Sequence, residues 1–194
     1  MGFMMEIKQK ITVNKNDSIV IKSKDDAVKE FKATLKWQTA VDLDLYVMYR
    51  TKAGADQPKK GIFSKMFSPA DRSEGTVFYG RKGNTNSAPF IRLDGDAGVG
   101  DTGGFNEENI RFYDMDYIDS AIIVANIFGK STNFAQYNGS VIVHGNGNEF
   151  TVPLSEKAKG SWCVVAKIDN RDGNTKLINV NKTMKLKPML KNFI

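Results

Sequence analysis

Between Asp94 and Glu108 the chain places five carboxylates and five glycines, flanked by the apolar runs Pro89 to Leu93 and Ile110 to Tyr113. So many acids in one loop repel each other unless a cation sits among them. The glycines let the backbone bend sharply and turn carbonyl oxygens inward. Carboxylates and backbone oxygens, with no histidine or cysteine nearby, are the ligand set of a hard cation, and calcium takes roughly six to eight such oxygens. A second acidic pair lies upstream in Val41-Asp42-Leu43-Asp44-Leu45-Tyr46. On a strand, residues two apart share a face, so Asp42 and Asp44 stand side by side, about 7 Å apart, with Leu43 and Leu45 turned the other way. Like charges on one face repel. The expectation is that this strand and the glycine loop meet around bound calcium.

Other motifs carry less. Gly98 to Gly103 spells G-x-G-x-x-G, but no helix follows to receive a pyrophosphate, and the neighbouring acids would repel one. Gly129-Lys130-Ser131-Thr132 lacks the first glycine of a phosphate loop, since that position holds Val124. It reads as a turn after a strand. Counted from Asp94, the loop is not an EF-hand, because its glycine position holds Val99. His144 and Cys163 are single residues of their kinds, so a zinc cluster is excluded. No nucleophile elbow accompanies His144. Cys163, in Trp162-Cys163-Val164-Val165, reads as a core residue, and a lone cysteine suits a reducing compartment. No enzyme is expected.

The elements that position these residues read as all-β. Short apolar runs alternate with turn residues, giving strands at Lys8–Val13, Ser18–Lys22, Phe31–Gln38, Leu43–Tyr49, Thr76–Tyr79, Ala88–Leu93, Ile110–Tyr113, Ala121–Phe128, Ser140–His144, Glu149–Leu154, Ser161–Ile168 and Thr175–Asn179. Asp25 to Glu30 reads as a helical turn. Gly145-Asn146-Gly147 and Asp172-Gly173 mark hairpins. Twelve short strands without a competing amphipathic helix predict one β-sandwich of antiparallel strands with a long acidic, glycine-rich loop. At 194 residues and 41% hydrophobic content the chain suffices for one core. No apolar run approaches the roughly 20 residues of a membrane span. The start, Met1 to Glu6, lacks a signal-peptide core.

Two segments look added. Thr51 to Gly75 is a long connection in which Lys59 and Lys60 precede Ile62, Phe63, Met66 and Phe67. These aromatics either dock a partner or fold back on the sandwich. From Lys182 to Ile194, Lys182, Lys185, Lys187 and Lys191 alternate with Met184, Leu186, Met189 and Leu190, as in a strand or arm laid on a surface. The net charge of +6 either favours an acidic partner or serves solubility.

The order of the pieces resembles the tellurium-resistance TerD family. The resemblance rests on Asp42-Leu43-Asp44 in a strand, the Gly–Asp loop followed by Glu and an apolar strand, Ile11 to Lys15 with Ile19 to Lys22, and Leu35-Lys36-Trp37. Phe78-Tyr79-Gly80 and Asn133 to Gly139 add to it, so that it covers roughly residues 11 to 180. Ala97 stands where the family usually has Asn, and Phe105-Asn106 where it has two Asp, which favours one calcium ion over two. The resemblance implies a sandwich, which the reading places over residues 1-181, with the added segments at 51-75 as an insertion loop and at 182-194 as a basic arm. It also implies a non-enzymatic role in a stress or tellurium-resistance assembly of the bacterial cytoplasm. The expected ligands are Asp42, Asp44, Asp96, Asp101 and Glu108 with loop carbonyls, and Asp94 and Glu107 are second choices. The expected partners are proteins, in a homo- or hetero-oligomeric assembly, rather than nucleic acid. The alternative is a structural or accessory protein of a larger particle, such as a phage virion, with calcium as a staple.

Overall fold

The structure, a computed structural model, describes residues 8–27, 29–53, 73–95, 106–129 and 133–194. The expectations for Met1 to Glu6, for Lys59 to Phe67, for Asp96, Asp101 and the G-x-G-x-x-G run, and for Lys130 to Thr132 lie outside these residues.

Among the described residues, twelve strands form two packed six-stranded sheets. The first sheet has the order β1-β10-β9-β3-β7-β6, with β1 Gln9–Thr12, β10 Asn148–Pro153, β9 Ser140–Gly145, β3 Phe31–Trp37, β7 Asn106–Phe112 and β6 Ile91–Leu93. The second has the order β2-β12-β11-β8-β4-β5, with β2 Ser18–Lys22, β12 Thr175–Met184, β11 Trp162–Asp169, β8 Ile118–Phe128, β4 Asp42–Thr51 and β5 Glu74–Val77. Every pairing is antiparallel except β1 with β10. Single 3₁₀ turns occur at Met115–Tyr117, Phe134–Tyr137 and Leu190–Asn192. Among the described residues no helix is long and apolar enough to cross a membrane.

The main core lies between the sheets. Alternate residues of each strand enter it, among them Leu35 and Trp37 of β3, Leu43, Leu45 and Val47 of β4, Ile110 and Phe112 of β7, and Phe150 and Val152 of β10. A second apolar cluster covers the outward face of the second sheet. It holds Tyr46, Met48, Ile122, Val124, Val164 and Leu190. This second layer explains why β8 reads as a nearly continuous apolar run, since a strand covered on both faces has no need of alternation.

Several elements differ from the sequence reading. Asp25 to Glu30 is not a helical turn. Lys24 and Asp25 make a simple turn instead, in which Asp26 N donates to Ser23 O at 3.1 Å and the Asp26 carboxylate accepts from Ser23 N at 2.7 Å. An Asp side chain that bonds its own backbone competes with helix formation. β7 starts at Asn106 rather than Ile110, so Asn106, Glu107 and Glu108 belong to a strand and not to the loop. They pair with Trp37, Lys36 and Leu35 of β3, and the backbone ladder outweighs their poor strand propensity. β6 begins only at Ile91, because Pro89 has no N–H to give and Phe90 sits at φ 57°. Both hairpins form as expected, with Asn146 at φ 52°, Gly147 at φ 74° and Gly173 at φ 88°. β12 runs on to Met184, and the residues after it turn back over the second sheet's outward face, where Leu190 is buried.

Candidate functional site

The turn from β3 into β4 is pinned before the acidic pair begins. Trp37 Nε1 donates to Val41 O at 2.8 Å, and Val41 N donates to Thr39 O at 2.8 Å. From β7, Asn106 Nδ2 donates to Thr39 O at 3.1 Å. A large buried indole and a neighbouring sheet thus set where Asp42 enters β4. Along β4 the period of two sends Leu43 and Leu45 into the core and turns Asp44 outward with Tyr46. Asp44 is nevertheless only 4% exposed. It lies opposite Asn126 of β8, which in turn lies opposite Trp162 of β11.

Glu108 comes from the other sheet. The inward face of β7 carries Asn106, Glu108, Ile110 and Phe112, and Glu108 is 2% exposed. β5 pairs with β4 only from Val47 onward. Two residues earlier, the Leu45 N–H points to the same strand edge as that of Val47. Glu108 Oε2 takes that N–H at 2.7 Å. The bond joins the two sheets across 63 residues of chain. Asp44 and Glu108 therefore meet one short stretch of β4, one on its outward face and one at its open edge.

Electrostatics around Tyr46 report the same concentration of charge. Burial first, then the nearby Asp44 carboxylate, Tyr79 and Glu108, push its hydroxyl well above the ordinary tyrosine range. Tyr46 meets the ring of Tyr79 edge-on at 6.4 Å.

Of the other expected ligands, Asp42, Glu107 and Asp94 are among the described residues. Asp42 precedes Asp44 on β4, paired with Phe128. Glu107 points to the opposite face from Glu108. Its carboxylate accepts from Asn109 Nδ2 at 2.9 Å and lies 3.2 Å from Lys36 Nζ. The Asn109 amide and Lys36 hold it below the usual carboxylate range. Asp94 follows β6 and accepts from Arg111 Nε at 2.7 Å. These two second choices are engaged outside the sandwich, and the structure does not bring them to Glu108. Among the described residues no three histidine, cysteine or acidic side chains group closely enough to hold a metal ion.

Elsewhere, Cys163 is fully buried, and burial pushes its thiol up to about 12. His144 lines a cavity of about 700 Å³ between the β9–β10 hairpin and the start of β3. Its Nδ1 lies 3.6 Å from Glu149 Oε1. The sequence reading missed Asn106, Tyr79 and Trp162 as neighbours of the acidic strand. The one local signal was Tyr46, two residues past Asp44 and hence on its face.

Fold and site together define a β-sandwich in which two buried carboxylates, one from each sheet, flank one short stretch of β4, Asp44 on its outward face and Glu108 at its open edge. No family model matches the chain, and no curated protein matches it.

Proposed function

We propose that this chain is a non-enzymatic calcium-binding sandwich of the TerD kind, acting in a stress or tellurium-resistance type of protein assembly in the cytoplasm. The burial of Asp44 and Glu108 against one short stretch of β4 carries the reading. Two carboxylates more than nine-tenths buried face a large desolvation cost, and a divalent cation offsets it. An all-oxygen donor set favours a hard cation over zinc or copper. Asp42, Asp96, Asp101 and carbonyls of the glycine loop are the proposed remaining ligands. One ion is proposed, since the two spare acids Asp94 and Glu107 have cationic partners of their own.

The test is thermal melting with calcium, with magnesium and with chelator, on wild type and Asp44→Asn. Calcium at a hundredfold excess over Kd adds about 2.7 kcal/mol, which for this size is roughly 5 to 10 °C. Magnesium substitutes poorly, because it demands a smaller octahedral shell. Asp44→Asn removes most of the calcium increment. A wild-type melting temperature that is the same in all three conditions removes the basis of the proposal.

A second reading, a component of a larger particle such as a virion, is favoured by three exposed apolar side chains. Phe128, Leu186 and Met189 are 63%, 79% and 54% exposed, apolar area that a neighbouring subunit would cover. Sedimentation as a monomer at every accessible concentration counts against it.

A further inference from the structure

Past Met184 the chain crosses the outward face of the second sheet. Leu190 and Pro188 are buried there, but Lys187 is exposed. Its ammonium stands over three rings, with Nζ 5.4 Å from the centroid of Tyr46, 5.4 Å from Phe78 and 5.8 Å from Trp162. The rings are built into a cage. Phe78 stacks on Tyr46 with centroids 5.2 Å apart and planes 9° from parallel. Trp162 meets Tyr46 edge-on at 5.1 Å, and Tyr79 meets Phe78 edge-on at 5.2 Å.

Three separate segments supply these walls. Tyr46 is on β4 and Trp162 on β11, and Phe78 follows β5 in a tight turn closed by reciprocal Phe78 and Arg81 backbone bonds at 3.0 and 2.9 Å. The turn fits only because residue 80 is glycine, since a Cβ there would lie 2.7 Å from the Phe78 ring. Asp44, two residues before Tyr46 on the same face, adds negative potential. Among the described residues, Lys187 has no carboxylate within ion-pair distance. The contacts it makes among these residues are with ring faces.

We propose that this cage is a binding site for an alkylated ammonium group, of the kind carried by choline or a methylated lysine, and that Lys187 fills it in the ligand's absence. Aromatic faces attract cations through the ring quadrupole. A primary ammonium is a poor match for three of them. It is compact and strongly hydrated, and its N–H groups find only weak acceptors in ring faces. A trimethylammonium has no N–H to satisfy and presents methyl groups to all three walls. An external ligand therefore displaces the tethered lysine. Lys187 lowers the apparent affinity by the fraction of time that it occupies the cage.

Tetramethylammonium chloride, titrated into the full chain against matched sodium chloride, tests the idea. The Trp162 indole resonance reports binding. Wild type is expected to bind weakly, and Lys187→Ala about tenfold more tightly, because the internal competitor is gone. Lys187 is exposed, so its replacement leaves the fold intact. Phe78→Leu is expected to abolish binding, with circular dichroism confirming that the sandwich remains. Choline and a peptide carrying Nε-trimethyllysine separate the two sources, the tighter one naming the ligand class. Equal binding by wild type and Lys187→Ala overturns the proposal, as does unchanged binding by a folded Phe78→Leu or binding of neither choline nor the peptide. The titrations are run in chelator, so that calcium on Asp44 does not alter the potential at the cage and the outcome is separate from that of the calcium test.

Discussion

Glu108 has two separable jobs in the proposed site, and two substitutions pull them apart. Glu108→Ala removes a 2.7 Å bond between a buried carboxylate and the Leu45 N–H, whose own side chain is fully buried. Hydrogen bonds to charged groups contribute about 1.5 to 3 kcal/mol, and a buried donor left alone costs about 1 to 3 kcal/mol. These figures describe one loss seen from two sides, so the expected destabilisation is about 2 to 3 kcal/mol. In chelator that is roughly 5 to 10 °C in melting temperature, and in calcium the loss is larger by the increment that the missing ligand supplied. Glu108→Gln keeps an acceptor oxygen for Leu45 and removes the charge. In chelator it should change stability by about 1 kcal/mol, because the amide oxygen still accepts from the Leu45 N–H and only the charge assistance is lost. With calcium it should lose most of the increment, since the amide is a weaker ligand for a hard cation. The assay is thermal melting of the three proteins in chelator and in calcium. If Glu108→Ala melts within about 1 °C of wild type, the bond does not tie the sheets together. If Glu108→Gln keeps the full calcium increment, Glu108 is not a ligand.

Two further outcomes follow from packing and titration. Leu190 is 6% exposed beneath the C-terminal arm, so Leu190→Ala should cost about 2 kcal/mol, the lower end for a buried leucine because the arm can settle. Leu186→Ala, at a 79% exposed position of the same arm, should stay within about 0.5 kcal/mol, and equal effects in chemical denaturation would refute docking through Leu190. Burial, then Lys32, hold the His144 imidazole below 6.5, against the pull of Glu149. The unfolded chain therefore takes up this proton first, and His144's contribution is present above 6.5 and lost as pH falls through the folded value. Denaturation midpoints measured on both sides of 6.5 should fall less for His144→Gln than for wild type, and identical slopes would refute the assignment.

Much of the fold could be read locally. Short apolar runs broken by turn residues located the twelve strands among the described residues, and Asn146-Gly147 and Asp172-Gly173 located two hairpins, because strand patterning and a positive φ are demands met within a few residues. One strand start is hidden by charge: the acidic stretch that reads as loop up to Glu108 is strand from Asn106 on, by its register with Trp37, Lys36 and Leu35.

The sequence by itself determined which residues of a strand share a face. Asp44 with Tyr46, and Leu43 with Leu45, follow from the pleat alone. Tertiary structure alone decided what each face meets. Nothing near Glu108 announces that its carboxylate takes the N–H of Leu45, because that bond depends on one sheet lying over the open edge of another. Nothing in the alternating lysines of the C-terminal arm separates an arm for a partner from one that returns to its own sheet. The arm turns back because Tyr46, Met48, Ile122 and Val124 leave an apolar outer face uncovered, and burying it there places Lys187 over three rings.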